Sequence, residues 1–266
     1  MKQPLRTLVL AVCCGLAAAC TQRPERLKLM SYNIRNGIGI DNIQDIGRIA
    51  RVILCEAPDL VALQELDSAT LRVDGRYIPG ELGRMTGMHA TFGRAIGFAG
   101  GSYGVGVMTR ERILDHFTVA LPRGEGAEPR VLTVVELARY VIATTHLDHT
   151  SAAAQRDQVA VINRVMRERY AEASKPVFLG GDLNALPDSG TLRALQEAWT
   201  VLTPTDGGTY PSHDPKKCID YILQLDNGVS CETAGARVLH RFEAGDAARA
   251  SDHLPVLLEI RLPAES

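Results

Sequence analysis

The sequence predicts an α/β protein in which two β-sheets pack face to face beneath covering helices. Three observations predict it. Strand-like runs outnumber helical ones, several strands follow one another across little more than a turn, and helical stretches are inserted between strands. The chain of 266 residues shows no linker, internal repeat or heptad pattern, so one domain from about 27 to 263 is expected.

LKLMSYNI (27–34) opens the domain as a strand. Asp41-Asn42-Ile43-Gln44 reads as a capping box, and Ile46, Ile49, Ala50, Ile53 and Ala57 follow at helical spacing until Pro58. DLVALQE (59–65) is the next strand, ending at Glu65. GELGRMTG (80–87) reads as a short helix, MHATFGRA (88–95) as a strand and YGVGVMTR (103–110) as another. VLTVVEL (131–137) and RYVIATTH (139–146) flank Ala138 and suggest a hairpin. Ser151 opens a long helix with Gln155, Val159, Ile162, Val165 and Met166 on one side. PVFLGG (176–181) is a strand and SGTLRALQEAW (189–199) mostly helix. IDYILQL (219–225) turns through Asp226-Asn227-Gly228 into another strand, and PVLLEIRL (255–262) closes the domain.

The N-terminus has a different character. MKQPLRTLVLAVCCGLAAAC carries Lys2 and Arg6, then an apolar stretch too short for a stable membrane span, then small residues. Residues 1–19 read as a secretory signal and residues 20–26 as a polar tether. Cys20, directly after Ala17-Ala18-Ala19, resembles the lipidated cysteine of bacterial lipoproteins, although Leu16 lies one place further upstream than in the usual pattern. That resemblance implies a membrane anchor through lipid on Cys20 and a place in the bacterial cell envelope. Plain cleavage would instead release a periplasmic or secreted protein. Without residues 1–19 the chain has 27 basic and 31 acidic residues, a net charge of −4, so no broad electrostatic footprint for nucleic acid is present. Of the six cysteines, Cys55, Cys218 and Cys231 fall in the domain, and none has zinc-site spacing. Cys218 and Cys231 flank an apparent hairpin, which leaves both a disulfide and a free pair open. A monomer is expected.

Polar residues fall where burial alone would not put them. Asn33 and Glu65 end the first two strands, and His146 ends ATTH. Asp182 and Asn184 follow VFLGG. Asp220 sits inside CIDYIL, and Ser251-Asp252-His253 precedes PVLLEI. One such residue is ordinary, but six apolar strands each ending in Asn, Asp, Glu or His are not a coincidence of burial. Asn33, Glu65 and Asp252 offer hard oxygen ligands, suited to a magnesium ion that keeps waters and meets a phosphate. His146 and His253 can donate to phosphate oxygens or move protons, and Asp220 can fix the tautomer of a histidine. Asp182 and Asn184 can position an attacking water and stabilise charge developing on oxygen.

SYN, LQE, THLDH, GGDLN, IDYI and SDHLP, in this order, resemble the endonuclease/exonuclease/phosphatase superfamily over about residues 27–262. The resemblance implies a four-layer α/β/β/α sandwich with its site at one edge of the sheets. It implies Asn33 and Glu65 as metal ligands with Asp252 beside them, and Mg2+, or Mn2+, as the ion. Asp182 and Asn184 would act on the nucleophile and transition state, His146 on the scissile phosphate, and Asp220 on His253, with the proton acceptor left open. The expected activity is metal-assisted hydrolysis of a phosphodiester by water. An endonuclease, a phosphomonoesterase and a non-catalytic binding lipoprotein remain alternatives. With no Arg/Lys-rich loop or aromatic insertion, a compact headgroup phosphoester is favoured over duplex DNA. Tyr103 is open between substrate contact and core. Arg156 reads as a brace for the THLDH loop and His149 as a surface or substrate-facing residue. His89, His116, His213 and His240 have no evident partner.

Overall fold

A computed structural model of the chain describes residues 26–263; the expected signal segment and the expected lipidation at Cys20 lie outside the described residues. Strand β1 (Arg26–Asn33) is followed by helix α1 (Ile46–Glu56), β2 (Leu60–Ser68) and α2 (Ile78–Thr86). Next come β3 (His89–Ala90), β4 (Gly93–Phe98), β5 (Gly101–Thr109), β6 (Asp115–Ala120), β7 (Val131–Glu136) and β8 (Val141–His146). Helix α3 (Ala152–Tyr170) leads to β9 (Val177–Asp182), α4 (Gly190–Gln196), β10 (Trp199–Val201) and β11 (Asp220–Leu225). The last strands are β12 (Glu232–Val238), β13 (Arg241–Phe242), β14 (Gly245–Asp246) and β15 (Val256–Arg261).

The strands form two large sheets. One has the order β12-β15-β1-β2-β5-β3, with β4 also paired to β5; the other has the order β10-β11-β9-β8-β7-β6. Alternation along each strand builds the layers. Leu27 and Leu29 of β1 face Phe178 of β9 and Ile222 of β11 in an apolar seam between the sheets. Met30 and Tyr32 face α1 and α2 on one outer side. Val177, Leu179, Tyr221 and Leu223 face α3 and α4 on the other. The result is the four-layer α/β/β/α sandwich. Towards the site the seam turns polar: Gln64 Nε2 donates to Thr144 Oγ1 at 3.0 Å across the sheets. There the sheets approach closely. A Cβ on Gly180 would stand 2.6 Å from the Cβ of Ala62 in the opposite sheet, which is why glycine stands at this position.

Several local expectations are corrected. The cap of α1 is Asp45, whose side chain accepts from Arg48 N, not Asp41. Asp41 instead closes an Asx turn on Ile43 N, and Gln44 donates to Asn36 O. β2 does not end at Glu65 but passes through it to Ser68, with a bulge between Leu63 and Leu66. Arg26, assigned to the tether, pairs with Arg261 as the first residue of β1. MHATFGRA splits into β3 and the start of β4, both paired to β5. β6 was not anticipated, and Trp199 belongs to β10, not to the helix before it. The turn after β11 does not close a hairpin, because β12 pairs with β15 in the other sheet. Cys218 precedes β11 and Cys231 follows it, so a strand's length separates them and both are free.

Candidate active site

Neighbouring strands bring the polar residues to one edge. In the second sheet Asp220 pairs in register with Asp182, and Asp182 with His146. Arg130 stands just before β7, whose Leu132 pairs with Thr145, so it lies one residue past the position opposite His146 and still reaches the same cavity. In the first sheet Asn33 ends β1, Glu65 sits at the β2 bulge, and Asp252 and His253 lie just ahead of β15. Glu65 has φ of 57°, a left-handed conformation that a non-glycine residue seldom adopts. The bulge re-aims its side chain towards the site.

The two rows meet at Asp182. Asn33 Nδ2 donates to Asp182 Oδ2 and to Glu65 Oε1, both at 3.0 Å. The same Asp182 oxygen lies 3.4 Å from His146 Nε2 and 3.6 Å from His253 Nε2. Asp182 Oδ1 accepts from Asn184 N at 2.9 Å, and Asn184 Nδ2 donates to Leu147 O at 3.1 Å. His253 Nδ1 lies 3.0 Å from Asp220 Oδ2. Ser251 Oγ donates to Asn33 O at 2.8 Å, tying the segment before β15 to the end of β1. The Tyr210 ring packs against the His253 ring, tilted by 43° with centroids 4.7 Å apart.

Burial shifts these groups in different directions. Desolvation and the Asp220 charge push Asp182 up to about 7. Desolvation opposes the charge of His253, but Asp220 and Asp182 outweigh it and push His253 up to about 10. Burial, with Arg130 and His253 nearby, holds His146 well below the ordinary histidine value, and its Nδ1 has no partner. Burial raises Glu65, the nearby Asp252 raises it further, and the Asn33 hydrogen bond partly offsets both. A cavity of about 620 Å³ opens over this edge. It exposes Glu65, Asp182, Asn184, Asp252 and both histidines, together with Tyr103, Glu128, Arg130 and His149.

All eight residues expected at the site therefore converge, with Asp220 packed behind His253. Tyr103 and His149 line the cavity; His89, His116, His213 and His240 do not. Arg156 is exposed, and the loop is braced instead by two glutamines of α3. Gln155 Nε2 donates to Asp148 O and Asn184 O, and Gln158 Oε1 accepts from Asp148 N. Sequence reasoning missed Arg130 and Glu128. β7 runs antiparallel to β8, so its site end is its N-terminus, and the signal was a charged residue before a strand instead of after one.

The tightest group of potential metal ligands is Asp182, Asp220 and His253, whose donor atoms lie within 4.8 Å of one another. Asp220 and His253, however, are already paired to each other, and Asp220 is fully buried. Glu65 and Asp252 fit a cation better. Both face the cavity, and the Asp252 charge opposes ionisation of Glu65, which a cation between them would relieve. Asn33 turns its nitrogen to Glu65 while its oxygen accepts from Arg35 N, so it joins the ligands only if its amide is turned over.

The model of the endonuclease/exonuclease/phosphatase family matches residues 30–253. No curated protein matches the chain. Among solved structures, an endonuclease/exonuclease/phosphatase from Beutenbergia cavernae is 24% identical with a TM-score of 0.71, covering 89% of this chain and 72% of that one. A family protein from Bacteroides thetaiotaomicron is 19% identical with a TM-score of 0.72, covering 92% and 98%. The mannosyl-6-phosphatase Bt3783 of the same organism is 19% identical with a TM-score of 0.70, covering 88% and 99%. At these identities the likeness is one of fold.

Proposed function

The chain belongs to the endonuclease/exonuclease/phosphatase family, and from that membership we propose that it hydrolyses a phosphodiester with water and a divalent cation, magnesium or manganese. The observation that carries the proposal is the convergence of Asn33, His146 and His253 on one oxygen of Asp182. Glu65 and Asp252 would hold the cation, while Asn33 keeps its hydrogen bonds to Glu65 and Asp182. When bound, the cation supplies charge to polarise a phosphate oxygen.

The protein's own groups divide the remaining work. Asp182, pushed up to about 7, is poised to take the proton of the attacking water near neutral pH. His253, held protonated by Asp220, donates from Nε2 to a phosphate oxygen as negative charge grows there. His146 stays neutral and adds a second donor from Nε2. Asn184, fixed through Leu147 O and the Asp182 side chain, keeps the two loops in register beside the attacked phosphorus. A net charge of −4 beyond residue 19 and a compact cavity support a small phosphoester over a long duplex.

Chelator should abolish turnover of a generic phosphodiester, and magnesium or manganese should restore it. Glu65→Gln should weaken metal binding measured by calorimetry while leaving the circular dichroism spectrum unchanged. Full turnover by the metal-stripped protein would sink the proposal.

A further inference from the structure

We infer that Glu128, His149 and Arg130 form a subsite for hydroxyl groups on the substrate, so that the preferred phosphoester is that of a polyol or sugar. The inference rests on the phosphoesterase reading and concerns the group attached to the phosphate. Arg130 stands at the entry to the neighbouring strand, one residue past the position opposite His146, and both line the cavity. Strands are spaced by about 4.8 Å. A phosphate held at His146 would therefore place the first carbons of its ester group beside Arg130.

Arg130 is 4% exposed, and both terminal nitrogens of its guanidinium meet neighbours. Arg130 Nη1 lies 2.8 Å from Glu128 Oε1, and Nη2 lies 3.3 Å from His149 Nδ1. A guanidinium has only donors, so His149 Nδ1 must accept, and the ring proton is on Nε2. Arg130 thus orients two groups of opposite sense. His149 is exposed and offers an N–H donor; Glu128 pairs one oxygen with Arg130 and leaves the second to a ligand. Both line the cavity.

The chemistry of the pair selects the ligand. A hydroxyl both donates and accepts, so vicinal hydroxyls can satisfy Glu128 and His149 together. A second phosphate accepts only, and it would face the Glu128 carboxylate across a cation whose charge that carboxylate already balances. An alkyl or aryl group would cover both polar groups without partnering either, which is costly.

The test uses matched esters that differ only in hydroxyls. Methyl glyceryl phosphate is compared with methyl propyl phosphate, and glycerol phosphate with propyl phosphate, in magnesium or manganese. The wild-type protein should favour the glyceryl member of at least one pair by about 10-fold in kcat/KM, as two hydrogen bonds allow. Glu128→Ala should reduce that ratio to within about 2-fold of unity; His149→Ala, on a different loop, should do the same if the first variant fails to fold. A wild-type ratio near unity, or an unchanged ratio in a folded variant, overturns the subsite. Cleavage of bis(para-nitrophenyl) phosphate with neither glyceryl ester cleaved overturns the subsite but leaves the phosphoesterase reading. Cleavage of none of these esters overturns both.

Discussion

Asp220 is fully buried and His253 nearly so, which makes each the main partner available to settle the other's charge. Asp220 Oδ2 meets His253 Nδ1 at 3.0 Å, and its second oxygen has no partner at all. An arrangement that leaves a buried carboxylate oxygen unbonded is a poor way to stabilise a fold but a good way to keep an imidazole protonated. Asp220→Asn should therefore lower kcat by about 10²-fold or more with little change in KM, since no substrate contact is removed. The pH profile gives the sign. Activity should rise with pH as Asp182, at about 7, loses its proton, and fall as His253, at about 10, loses its own. Removing the Asp220 charge removes a cause of the high His253 value, so the alkaline limb should move to lower pH. A variant with wild-type kcat and an unmoved alkaline limb would make Asp220 a structural hydrogen-bonder.

The element that positions His146 is the loop from β8 into α3, and its stability rests on one carboxylate. Asp148 is buried, and its Oδ1 accepts from Thr150 N, Thr150 Oγ1 and Ser151 N at 2.7–2.8 Å. Burial works to raise its pKa, but those hydrogen bonds and Arg130 prevail and hold it below the usual value. A depressed carboxylate contributes stability above its unfolded value near 3.9 and loses it as pH falls through the folded value. Asp148→Ala should cost about 2 kcal/mol at pH 7, measured by urea unfolding, and the gap should narrow below about pH 4. A gap independent of pH would remove the charge from the account. The same loop shows what a sequence discloses. His146 was legible because an apolar run stopped at it. The brace was not, because Gln155 sits at helical spacing among apolar residues, where a buried amide reaching two loops looks like one more core position. Glu65 was legible as a residue of the site edge but not as a bulge, since the φ of 57° is imposed by pairing with β5 and not by its neighbours in sequence. β12 was misplaced for a related reason. The turn at Asp226-Asn227-Gly228 has the residues of a hairpin, yet Asn227 Nδ2 is spent on the carbonyls of Tyr170, Ala173 and Lys175, and the chain crosses to the other sheet.

At the scale of the whole molecule the site exists only because two sheets are held at a fixed separation. Asn33, Glu65, Asp252 and His253 come from one sheet, and His146, Asp182 and Asp220 from the other. The hydrogen bond from Asn33 to Asp182 spans the gap at 3.0 Å. Gly180 sets that gap from inside, immediately below the site. Two effects compete when it becomes alanine. Reducing the freedom of the unfolded chain is worth about 0.4–1 kcal/mol in favour of folding. Against it, the new Cβ would stand 2.6 Å from Ala62 Cβ on β2 and 3.3 Å from Ser31 Cβ on β1, packed strands that cannot swing away. Overpacking of this kind costs about 1–3 kcal/mol. The steric cost should win, lowering the melting temperature by several degrees, about 2–4 °C for each kcal/mol in a chain of this size. Gly235→Ala is the control. It lies in a strand where an added Cβ meets nothing within 4 Å, so only the favourable term remains and the melting temperature should hold or rise. Because prising the sheets apart also stretches the contact between Asn33 and Asp182, Gly180→Ala should lose activity out of proportion to its stability, by up to about 10²-fold in kcat well below its melting point. Equal melting temperatures and equal kcat for the two variants would mean that the sheets yield without disturbing the site, and that their separation does not set its geometry.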